Sequence, residues 1–156
     1  MRRFEYSLPM ALLSARESIM AFFRPHLNAE GLTEQQWRVI RVLRERQDLE
    51  FHQLATLCRI LPPSLSGILT RLERMRLVRR RKPASDQRRL HVALTRDGSA
   101  RFDQCSQRME QVYRDIEKQF GKRRLATLFA HLRAVRLLEP APARRARKDR
   151  VKIKEH

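Results

Sequence analysis

Glycine and cysteine are scarce, with four of the first and two of the second among 156 residues. The glycines stand singly, so the chain holds no glycine-rich phosphate loop and no nucleophile elbow. Cys58 and Cys105 lie in apolar helical patterns without CxxC or metal-ligand spacing. This argues for a reducing compartment, a core role for both thiols and no disulfide framework. His26, His52, His91 and His131 are scattered, and no close pair of carboxylates appears. An enzyme, a metal site and a cofactor are therefore not expected. Long uncharged apolar runs are also missing. The start, "MRRFEYSLPMALLSARESIMAFF", has the outline of a signal peptide, but Arg16 and Glu17 interrupt it well short of the roughly 18 residues a span requires. The reading is cytoplasmic, with no membrane partner.

Acidic residues are the other shortage. Thirty-five Lys and Arg face 17 Asp and Glu, a net charge of +18 and an isoelectric point near 11.5. Such an excess favours a polyanion as partner. Residues 140–156, "PAPARRARKDRVKIKEH", carry +5 of it and leave +13 for the rest. This segment is expected to be a disordered basic tail, either a phosphate-seeking arm or a solubilising end.

The apolar residues that remain are ordered along the chain. Leu8, Leu12, Ala15, Ile19 and Phe22 form one narrow stripe of a helix expected to end near Pro25. Thr33 caps a second helix running to about Gln47, with Trp37, Ile40 and Leu43 inward. A short helix follows with Leu54, Leu57 and Cys58 as its apolar side. Pro62 and Pro63 open a fourth, since a first helical turn tolerates a missing N–H. That fourth helix turns Leu65, Ile68, Leu69, Leu72 and Met75 inward and Gly67, Thr70, Arg71 and Arg74 outward. "LVRRRK" and "RLHVAL" are two strands of a hairpin joined by Pro83 to Arg88. Thr95 caps a long helix with Phe102, Cys105, Met109, Val112 and Ile116 on one face. Gly121 breaks it, and Leu125, Leu128, Leu132 and Val135 mark the last helix.

Short helix, turn, split-faced helix and hairpin in this order make a mainly α fold with a small β-hairpin wing, a winged helix-turn-helix. Residues 1–31 and 98–139 are assigned to helical dimerisation, because their narrow apolar seams exceed what the small middle can cover. Residues 32–97 are assigned to DNA binding. Ser64, Ser66, Gly67 and Thr70 are small enough for close approach to a major groove, and Arg71 and Arg74 can reach a guanine edge or a phosphate. A non-specific architectural protein would share the charge but has no use for such a helix.

"LTEQQWRVIRVL", "PPSLSGILTRLERMRLVRR" and "DQRRLHVALTRDG" resemble the winged helix-turn-helix regulators of the MarR family over roughly residues 8–138. The resemblance implies a homodimer joined by its terminal helices on a pseudo-palindromic operator in double-stranded DNA. It implies that Arg88 enters the minor groove while Asp86 braces the wing, with Arg89 a phosphate contact or second brace. Many relatives carry a larger polar residue or an arginine at the position of Gly67, which moves base reading onto Ser64, Ser66, Thr70 and Arg71. "GLTEQQWRVIRVL", "LEFHQLA" and "ILPPSLSGIL" are further similar to a branch that controls homoprotocatechuate degradation. This similarity implies a repressor of 4-hydroxyphenylacetate or homoprotocatechuate catabolic genes, released by a small aromatic acid. Arg16 is then the leading cation for the acid, with Phe23, His26, Trp37 and Arg38 as walls and donors. The alternatives are an ion pair for Arg16, with Glu17 across the dimer, and plain core packing for Trp37. Some members of this family instead sense oxidants through a cysteine in a pKa-lowering setting, unlike the apolar settings of Cys58 and Cys105.

Overall fold

The computed structural model describes residues 3, 6–83, 86 and 89–139. Arg88 and the tail of residues 140–156 lie outside them. The elements are α1 (Leu8–Ala29), α2 (Glu34–Arg46), β1 (Leu49–Glu50), α3 (Phe51–Cys58), α4 (Pro62–Arg74), β2 (Val78–Arg81), β3 (His91–Leu94), α5 (Arg96–Phe120) and α6 (Lys122–Arg136). The chain divides into two compact units, residues 1–116 and 117–156, with α5 passing from one into the other.

In the first unit α1 runs through Pro25 and ends at Ala29, a turn beyond the expected stop. An internal proline removes one helical hydrogen bond. Here Phe23 and Leu27, the buried anchors of α1, flank it and hold the helix on both sides. Gly31, at φ +66°, then lets the chain turn back, with Leu32 N–H donating to Leu27 O at 3.0 Å. The stripe of Leu8, Leu12, Ile19 and Phe22 stays exposed.

Helix α2 starts in a capping box. Gln36 N–H donates to Thr33 Oγ1 at 3.2 Å and Thr33 N–H to Gln36 Oε1 at 2.8 Å. Its Trp37, Val39, Ile40 and Leu43 enter a core shared with Leu54, Leu65, Ile68, Leu69 and Leu72. Two residues expected inward are not. Leu57 is 47% exposed, because the two turns of α3 bury only Leu54, Ala55 and Cys58. Met75 is 38% exposed, because α4 has ended and the residue is its C-cap.

The hairpin is part of a three-stranded antiparallel sheet in the order β1-β3-β2. Fully buried Val92 lies opposite Leu49 on one side and Arg80 on the other. Strand β1 is absent from the sequence reading because two residues show no alternation.

Helix α4, the hairpin and α5 meet at one junction. Thr95 Oγ1 donates to Arg76 O at 2.6 Å, Thr95 N–H to Leu77 O at 3.1 Å, and Gly98 N–H to Thr95 Oγ1 at 2.9 Å. This is the expected threonine cap, and it leaves no room for a side chain at Gly98. A Cβ there would stand 1.9 Å from Leu77 O.

In the second unit α6 follows Gly121, whose φ is +94°. None of its residues is buried, and Leu128 and Phe129 are exposed. Among the described residues no helix is long and apolar enough to cross a membrane.

Gly98→Ala is expected to destabilise the protein by at least about 2 kcal/mol, because backbone must move to admit the methyl. Chemical denaturation measures it.

Candidate nucleic-acid and effector sites

The double proline fixes where α4 begins, and its buried leucines fix which face points out. Ser64, Ser66, Gly67, Arg71 and Arg74 are exposed and Thr70 is half-buried. The Thr70 hydroxyl donates to Ser66 O at 3.1 Å. It therefore offers an outside partner a methyl group and an acceptor rather than a donor. Nothing lies within 4 Å of a Cβ built on Gly67, so packing inside the chain does not require glycine there.

Ion pairing separates the cations of this lobe into two groups. Arg80 pairs with Glu73 of α4, and its N–H donates to Glu73 Oε1 at 3.2 Å, which ties β2 to the recognition helix. Arg81 pairs with Asp48, which also lies 3.2 Å from His91 Nδ1. Arg89 Nε lies 3.3 Å from Asp86 and its Nη1 3.7 Å from Glu50. These pairs hold the wing to the body, and each is exposed or half-exposed, so each contributes little stability alone. The guanidinium groups of Arg71, Arg74, Arg76 and Arg79 pair with no described residue, and all four are exposed. Four such groups thus line the recognition helix, the turn after it and the first wing strand, while Arg46, Arg59 and Arg96 elsewhere in residues 32–97 are exposed and equally without a described ion-pair partner. Arg76 and Arg79 escape the sequence reading because they follow the helix, outside its outward stripe.

A second cluster joins α1 to α2 and α3. Arg16 pairs with Glu17 at 2.7 Å and also with Glu34. Arg24 meets the same two carboxylates at 2.6 and 3.6 Å. Arg38 pairs with Glu34 at 2.8 Å and donates to Cys58 O at 3.0 Å. The Arg24 hydrogen bond, helped by the charges of Arg24 and Arg16, holds the Glu17 carboxyl below its ordinary value. Arg16 thus has its ion pairs within one chain, with Glu17 as one partner. Phe23 is buried edge-on against Tyr113 at 5.1 Å, and Trp37 is buried and stacked on Phe102 at 5.3 Å. His26 is exposed on α1. Beside these rings Arg41 Nη1 donates to Tyr113 Oη at 3.4 Å, and its nearest carboxylate, Glu45, is 3.9 Å away. Arg41 lies one turn from Trp37 on the same face, the signal by which the sequence could have shown it.

Residues 32–90 match the MarR family profile. The chain is 48% identical over 122 residues to the homoprotocatechuate degradative operon repressor of Escherichia coli, covering 78% of this chain and 82% of that one. The crystal structure of transcriptional regulator PA4135 superposes with a TM-score of 0.83 at 49% identity, over 86% of this chain and 98% of that one. NadR in complex with 4-hydroxyphenylacetate gives 0.75 at 40% identity, over 89% and 99%.

Both cysteines are buried, and burial pushes both thiols up, Cys58 to about 11 against the partial opposition of Arg38. At pH 8 about one Cys58 in a thousand is then thiolate. Mild peroxide is expected to leave both thiols intact in the native protein by mass spectrometry. The pKa is raised on folding, so the linked stability is fully present below pH 9.0 and lost as pH rises through about 11.

Proposed function

The chain belongs to the MarR family. On that premise we propose that it is a dimeric, sequence-specific repressor of aromatic-acid catabolic genes, released from its operator by a phenolic acid. The observation that carries the DNA-binding part is that four unpaired guanidinium groups, Arg71, Arg74, Arg76 and Arg79, stand beside an exposed, small-residue recognition face. Nucleic-acid phosphates are the natural counter-charge for such a surface. The 48% identity to an operon repressor and the likeness to NadR bound to 4-hydroxyphenylacetate support the choice of genes and of effector.

In this reading α4 enters the major groove. Ser64, Ser66 and Thr70 meet base edges over the open space at Gly67, while Arg71 and Arg74 reach a guanine edge or phosphate. Asp86 and Arg89 brace the wing and Arg88 enters the minor groove. Residues 1–31 and 98–139 supply the dimer, α6 and the exposed stripe of α1 covering one another's apolar surface across two copies. The basic tail adds phosphate contacts. The protein works by binding rather than catalysis, in the cytoplasm, without metal or cofactor.

An aromatic acid needs an apolar slot and a cation. Arg16, Phe23, His26, Trp37 and Arg38 border the proposed region. Glu34 already occupies Arg16 and Arg38, so a ligand carboxylate must displace it there. Arg41, more weakly held and next to the Tyr113 hydroxyl, is the cation with less competition. Release follows if the acid favours a dimer whose recognition helices no longer match half-sites roughly 34–36 Å apart.

The test is selection of duplexes from a random library, followed by titration of the enriched and a scrambled sequence at one salt concentration. A specificity ratio of at least about 10³ is expected. A ratio near one would mean an architectural protein instead. Arg88→Ala should cost about 1–3 kcal/mol of operator binding and leave dimerisation intact, whereas Arg79→Ala should weaken all duplexes alike and reduce the salt slope by about one.

A further inference from the structure

One charge cluster around a buried carboxylate takes no part in either proposed site. Glu30, the C-cap of α1, has a side chain only 6% exposed. Its Oε1 lies 2.6 Å from Arg108 Nη1 and its Oε2 3.9 Å from Arg101 Nη1, and Arg101 also donates to Glu30 O at 2.9 Å. Both arginines belong to α5, two turns apart, with fully buried Cys105 between them. Two arginines thus grip one carboxylate and one carbonyl at the end of α1.

An ion pair between a buried carboxylate and half-exposed arginines is a poor source of stability. What it fixes is geometry, because partners and directions are specified. The grip sits between two other contacts of α5. Toward its start, Thr95 donates to the carbonyls of Arg76 and Leu77 in the turn after the recognition helix, and Gly98 packs closely on Leu77. Toward its end, Tyr113 meets Phe23 of α1 in the proposed effector region. Along α5 the Glu30 grip thus lies between the Phe23–Tyr113 contact and the turn that follows the recognition helix.

We propose that Glu30, Arg101 and Arg108 are positioning residues that convert effector binding into displacement of the recognition helix. The inference rests on the function proposed above. It is tested by measuring operator affinity with and without saturating 4-hydroxyphenylacetate in the full chain, Glu30→Gln, Arg108→Gln and Arg108→Lys. The unsubstituted chain should lose operator affinity by about 5- to 150-fold when the acid is added, the usual span of such coupling. Glu30→Gln and Arg108→Gln should hold effector-free operator affinity and effector affinity within about threefold, yet lose most of that factor. Arg108→Lys, which keeps the charge, should restore it. Arg108 is half-exposed, so its variants keep the question answerable should Glu30→Gln fail to fold. Lower thermal stability with an unchanged coupling factor in Arg108→Gln overturns the clamp and leaves the proposed function standing. No response in the unsubstituted chain overturns both.

Discussion

The arrangement of the DNA-binding lobe depends on one close approach, that of Gly98 to the backbone of Leu77. The carbonyls of Arg76 and Leu77 lie in the turn between the recognition helix and the first wing strand, and Thr95 binds both while capping α5. One threonine and one glycine thereby set three directions together. The hydrogen bonds satisfy two turn carbonyls beyond the helix end. The missing side chain lets α5 come down onto them. The direction in which α4 presents its outward face relative to the wing follows from this contact and from the Glu73–Arg80 pair beside it.

Around that frame the charges divide by role. Carboxylates are few, and most of those in the first unit are spent on geometry. Asp48, Glu50, Glu73 and Asp86 tie down the sheet and wing, Glu17 and Glu34 join α1 to α2, and Glu30 joins α1 to α5. With these acids engaged elsewhere, and Glu73 turned to Arg80, the arginines Arg71, Arg74, Arg76 and Arg79 on and after the recognition helix are left without a described ion-pair partner. A strongly basic composition becomes a directed surface through the placement of acids.

Much of this was legible in the sequence, because spacing and capping are local. The helices carry strong 3 and 4 periodicity, Thr33 and Thr95 are threonines at helix starts, and the Pro62–Pro63 pair marks the start of α4. What the sequence hid depends on tertiary contacts. The extension of α1 past Pro25 comes from the burial of Phe23 and Leu27, and the exposure of Leu57 from the shortness of α3. Strand β1 exists only through its pairing with β3. The outward residues of α4 were readable from phase, whereas the partners of Arg16 and Arg38 were not. Glu34 lies 18 residues from Arg16, and only folding brings them together.

The proposed function joins a DNA-reading lobe to an effector region through one helix, α5, which touches both. Linkage then requires that the effector and the operator prefer different states of the dimer. The measurement that tests this most directly is calorimetric titration of 4-hydroxyphenylacetate into the free protein and into its operator complex. The account predicts weaker binding to the complex, by the same factor with which the acid weakens operator binding. Equal affinity in the two titrations would contradict it.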